Sequence, residues 1–216
     1  MTPALLILLP TLLPYSGPAP IIADLDADGR SETVRLVADG VDALQIRRGR
    51  ALIASGVPRR WKPWRVEAGD VDGDGVQEIL VGVHKSTRYM PRPHHCLFVY
   101  RFQRGALKPF WLGSALSRPF TDFAAGFPAR GEPSMLYAIE LTASGRRTVA
   151  RYRWNGFGFT LQRRWGDWKS ARLVRTSSGD LAVAADGRIC VVDRVDRTVR
   201  RPVSSSGRIR SHGRNQ

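Results

Sequence analysis

The chain has 216 residues, 43% of them hydrophobic and 25% charged, enough for one globular domain or two very small ones with a substantial core. No apolar run reaches the roughly 18 residues of a membrane-crossing helix, and two cysteines, Cys96 and Cys190, are too few for a disulfide scaffold. The 21 glycines and 14 prolines disfavour long helices and suit many short strands joined by turns.

A net charge of +15 points first to a polyanion partner, nucleic acid or an anionic glycan. The distribution argues otherwise. Of 34 basic residues only Lys62, Lys85, Lys108 and Lys169 are lysines; the 30 arginines are scattered with no block longer than two, as a GC-rich coding sequence also produces. Nucleic acid is therefore not the expected partner. The acids are clustered instead: Asp24, Asp26, Asp28 and Glu32, with Asp70, Asp72, Asp74 and Glu78, place 8 of 19 acids in two nine-residue windows.

From the N-terminus, the apolar run ALLILLPTLL at residues 4–13, followed by Ser16, Gly17 and Ala19, matches the core of a secretory signal. Residues 1–17 are read as a signal peptide, and the protein as extracytoplasmic or secreted; a first strand is the alternative for this run. Residues 21–37, IIADLDADGRSETVRLV, and 67–83, EAGDVDGDGVQEILVGV, superpose on Asp-x-Asp-x-Asp-Gly-x-x-Glu, with starting aspartates 46 residues apart. A degenerate third copy contains FTDFAAGF, where Asp122 lies 52 residues after Asp70, and a fourth is SARLVRTSSGDLAVAADG.

Around these turns the chain reads as four strands per unit. The first unit gives 21–23, 33–37, 43–47 and 51–54; the second 64–68, 78–83, 96–102 and 107–112. The third gives 120–124, 135–141, 148–154 and 159–163; the fourth 171–175, 181–185, 188–193 and 198–201. Hairpin turns are predicted at Arg48-Gly49, Arg104-Gly105, Asn155-Gly156 and Asp186-Gly187. A four-stranded antiparallel unit recurring every 45 to 52 residues predicts an all-β fold, a small β-propeller of about four blades over residues 18–202. A two-layer sandwich of the same strands is the arrangement that the period leaves open. The polar, basic residues 203–216 are read as a disordered tail.

Three aspartates at alternate positions of one tight turn repel one another by about 4 kcal/mol per pair at an effective dielectric near 20. A bound cation removes that repulsion. Oxygen donors at odd positions and a glycine at position six fit Ca²⁺, which takes six to eight oxygens. The expected ligands of one ion are Asp24, Asp26, Asp28 and Glu32 with the Arg30 carbonyl; those of a second are Asp70, Asp72, Asp74 and Glu78 with the Val76 carbonyl. An EF-hand requires Glu at position twelve, where this chain has Arg35 and Val81, and an apolar strand pattern follows rather than a helix.

GDVDGDGVQEILVGV closely resembles the calcium-binding turn of FG-GAP/VCBS repeats, the blades of integrin α-like propellers; with the first turn, the resemblance covers about a third of the chain. It implies a multi-bladed propeller with structural metals and surfaces that bind other proteins or glycans.

Elsewhere, His94-His95-Cys96 reads as a loop-to-strand junction, and Glu67, Asp122, Glu132, Glu140 and Asp167 form no catalytic motif. Trp61, Trp64, Trp165 and Trp168 read as packing residues, with an exposed binding rim as the alternative. The two cysteines fall in different blades and are expected to be free thiols. The expected protein is a monomeric, non-enzymatic, calcium-stabilised binding or adhesion module for an unidentified protein or glycan. The alternatives are a polyanion-binding protein and a carbohydrate-active enzyme with two carboxylates facing one another across a pocket.

Overall fold

The computed structural model describes residues 19–113, 115–128 and 132–194. The expected signal peptide at 1–17, the last strand of unit four at 198–201 and the tail at 203–216 lie outside them.

Short apolar stretches punctuated by Gly, Asp and Asn form β-meanders, each strand pairing antiparallel with the next. Blade one comprises β1 (Ile21–Ala23), β2 (Glu32–Leu36), β3 (Asp42–Arg48) and β4 (Ala51–Pro58), followed by a single 3-10 turn at Arg59–Trp61. Blade two comprises β5 (Arg65–Gly69), β6 (Glu78–Lys85), β7 (His94–Gln103) and β8 (Ala106–Gly113). Blade three comprises β9 (Phe120–Ala125), β10 (Leu136–Leu141), β11 (Arg147–Trp154) and β12 (Phe159–Trp168). Blade four has three described strands, β13 (Ala171–Arg175), β14 (Leu181–Ala185) and β15 (Arg188–Asp193). The four sheets are arranged as a four-bladed β-propeller.

Period-two alternation sends successive side chains of a strand to opposite faces, so a blade between two neighbours must be apolar on both. β6 shows the consequence. Ile79, Val81 and Val83 join Val34, Leu44 and Ile46 in an apolar cluster between blades one and two. Leu80, from the other face of β6, joins Leu136, Ala138 and Tyr152 between blades two and three. Tyr137 and Ile139 then turn the other way, packing with Leu173, Leu181 and Val183 between blades three and four.

Close approach at one junction requires glycine. A methyl placed at Gly82 would lie 2.6 Å from Phe123 Cε1 and 2.7 Å from Trp64 Cε2. Trp61 and Trp64 are packing residues: Trp61 meets Phe98 edge-on at 5.5 Å, and Trp64 meets Phe123 at 5.5 Å. Cys96 is buried, Cys190 is exposed, and both are free thiols.

The first strand of each blade lies toward the axis, where ion pairs tie blades together. Arg65 bridges Glu67 at 2.8 Å and Asp122 at 2.7 Å, and Arg175 of blade four reaches Glu67 of blade two at 3.3 Å. Asp122 also accepts the Leu173 N–H at 2.7 Å, which links blade three to blade four. It therefore lies within β9 and is not the counterpart of Asp70, which follows β5; the apparent third copy of the turn was aligned by spacing alone, and the strand register places it differently.

Candidate metal-binding turns

The β1–β2 and β5–β6 connections carry the two acidic windows. Position six is left-handed in both, with φ of 81° at Gly29 and 88° at Gly75. Position four is left-handed as well, with φ of 82° at Gly73 but 56° at Ala27, where a Cβ must be accommodated. These backbone bends fold the first acid over the turn: Asp24 Oδ2 accepts the Gly29 N–H at 2.9 Å, and Asp70 Oδ2 accepts the Gly75 N–H at 2.9 Å.

Glu32 and Glu78 open the second strands and are fully buried. Each uses one oxygen to hold the turn, Glu32 accepting from Leu25 N at 3.0 Å and Glu78 from Val71 N at 2.9 Å. In each turn three acids converge. One oxygen from each of Asp24, Asp26 and Glu32, and likewise of Asp70, Asp72 and Glu78, lies within 4.8 Å of its fellows, so that each triad could hold a metal ion. Asp28 and Asp74 stand at the rim, accepting the N–H groups of Arg30 and Val76, each at 2.9 Å. The exposed Arg30 and half-buried Val76 occupy position seven of their turns.

A feature missed at the sequence level is an internal cation. Arg48 donates Nε to Glu32 Oε1 at 2.7 Å and lies 3.0 Å from Asp26 and 3.2 Å from Asp28. Arg101 repeats the arrangement, with Nε to Glu78 Oε1 at 2.7 Å and Nη2 at 2.5 Å from Asp72 and 2.8 Å from Asp74. The Phe110 ring, 4.3 Å from Arg101 Cζ, fixes its plane. The only signal for this in the sequence is an arginine near the end of the third strand of both units.

A bound ion is therefore not the sole relief of the repulsion: a guanidinium provides part of the compensation. It does not provide all of it, since one positive charge meets four acids in each turn. The donor set is oxygen-only, as a hard cation requires, and Asp24 Oδ1 is a buried oxygen with no hydrogen-bond partner, which a cation would satisfy. Burial pushes the Glu78 carboxyl up to about 7, against the opposing pull of the Val71 N–H and Arg101. Asp26 and Val76, one from each turn, line a common cleft of about 660 Å³.

Three acids outside the turns are also matched to arginines: Glu132 with Arg153 at 3.2 Å, Glu140 with Arg164 at 2.6 Å and Asp167 with Arg146 at 2.6 Å. Glu67 and Asp122 are bridged by Arg65 rather than facing one another across a pocket. In each of these ion pairs the cation is an arginine. The class defined by fold and site is a four-bladed β-propeller with two acidic turns that could hold metal ions. No helix among the described residues is long and apolar enough to cross a membrane. Compared with known proteins, the chain matches no family model and no curated relative.

Proposed function

We propose that the protein is an FG-GAP/VCBS-like, calcium-stabilised binding or adhesion module that works outside the cytoplasm and engages a protein or glycan without chemical turnover. The observation that carries this reading is the repetition of one oxygen-lined turn in two successive blades, with the same acid triad and the same buried glutamate. Asp24, Asp26, Asp28 and Glu32 with the Arg30 carbonyl hold one Ca²⁺, and Asp70, Asp72, Asp74 and Glu78 with the Val76 carbonyl hold the other. Calcium supplies the charge that a single arginine leaves unmatched and fixes the turns that lead from the axial strands into the blades. Sites with dissociation constants of roughly 10⁻⁴ to 10⁻³ M stay largely filled at extracellular calcium levels.

Thermal unfolding of the full chain in calcium and in chelator tests the reading. Calcium raises the midpoint, magnesium raises it less, and Asp72→Ala removes much of the gain. Identical melts with and without calcium overturn the proposal.

A further inference from the structure

The antiparallel meander places the acidic turns at one end of the strands and the second-to-third-strand loops at the other, together with the connectors between blades. At that second end, between blades two and three, lies a cleft of about 510 Å³, within the usual range for small-molecule sites. Its apolar walls come from Met90, Leu116, Phe120 and Leu141. Its polar lining is His84, His94, His95, Ser117, Arg118 and Thr121, with no carboxylate among the lining residues.

These groups are held in place. His84 and His95 are direct cross-strand partners, so both rings project on the face of blade two that meets blade three. His95 Nδ1 lies 2.8 Å from the Phe120 carbonyl, which must accept, so the proton sits on Nδ1. Trp64 covers that ring at 4.7 Å. His84 has a ring contact with His95 at 5.4 Å but no hydrogen-bond partner for its nitrogens among the described residues. Burial, reinforced by His95, Lys62 and His94, holds its pKa below the ordinary histidine value, leaving a neutral ring with an N–H to donate. Ser117 Oγ is fixed by Tyr152, at 2.6 Å, and by Glu140 and Arg164. Glu140, the carboxylate that Ser117 bonds, is buried and neutralised by Arg164 at 2.6 Å. Arg118, in contrast to the ion-paired arginines, is exposed and has no ion-pair partner among the described residues.

We infer that this cleft binds a small organic anion, an apolar body seated on Leu116, Phe120 and Leu141 with its anionic head toward Arg118 and His84. A pocket with an apolar floor, a neutral imidazole donor and one unpaired guanidinium selects for charge at one end of a ligand and for hydrocarbon at the other. The site is separate from the acidic turns and independent of calcium.

Titration of the isotopically labelled full chain with octanoate, phenylacetate and phenyl phosphate, with phenylacetamide as the neutral counterpart, tests the inference by backbone NMR. At least one anion shifts the amides of His84, His95, residues 115–118, Phe120 and Thr121 saturably, binds at least tenfold more tightly than phenylacetamide, and loses about tenfold in affinity in Arg118→Gln. Arg118 is exposed, so that variant retains the fold, and an unchanged spectrum away from the cleft checks this. Failure of all three anions to shift these amides, equal binding of the neutral amide, or shifts spread over the surface overturns the inference. Calcium and chelator arms keep it distinct from the metal proposal, because the shifts persist in chelator.

Discussion

Arg101 donates its Nε to Glu78 Oε1 at 2.7 Å, and this bond joins the third strand of blade two to the mouth of its acidic turn. It arises from register. Ile79 pairs with Tyr100, so Glu78 and Arg101 fall at the next step of the ladder, and in blade one Thr33 pairs with Arg47, which brings Glu32 to Arg48. The same cross-strand neighbourhood therefore delivers one guanidinium to each turn, where it shares the acids with any bound metal.

Arg101 and a metal ion act on the same carboxylates, so they substitute for one another in part. In chelator, Arg101→Met leaves a buried glutamate without its partner and lowers stability by roughly 3 kcal/mol. In saturating calcium the loss is smaller, and calcium binds the variant more tightly than the parent because a competing positive charge is gone. Denaturant unfolding in both buffers, with a calcium titration of each protein, measures both effects.

The Glu78 carboxyl is raised from an ordinary 4.5 to about 7 in the folded chain. Between those values the native state holds a proton that the unfolded state has released, so stability in chelator falls as pH rises through this window. The full change is at most about 3–4 kcal/mol at 1.4 kcal/mol per pH unit. Glu78→Gln flattens that part of the profile; equal slopes in both proteins, followed by urea unfolding from pH 4.5 to 7, would count against it.

Ala27 occupies the left-handed position that glycine fills in the second turn. Ala27→Gly relieves about 1 kcal/mol of backbone strain, partly offset by the greater freedom of glycine in the unfolded chain. A small rise in the unfolding midpoint is expected, whereas Gly73→Ala lowers it.

Gly82→Ala tests the junction between blades two and three. The added methyl meets the rings of Trp64 and Phe123, both held by their own packing, and destabilises by about 1–3 kcal/mol. The readout is denaturant unfolding together with the tryptophan emission of the native state.

Local chemistry was legible in the chain itself. Asp-Gly and Asn-Gly turns, alternation within ILVGV and the spacing of two acidic windows are short-range signals, and they located the strands to within a few residues in most cases. β4 and β12 run longer than their patterns suggested, reaching Pro58 and Trp168, because partner strands extended the ladder past the apolar stretch. Tertiary structure decided what lay between distant residues. Which arginine reaches which acid depends on register, and the histidine-lined cleft exists only because blades two and three meet at Phe120 and His95. Turn geometry is set by the few residues that form it, whereas ion pairing and cavities require strands far apart in sequence to be packed at a definite offset.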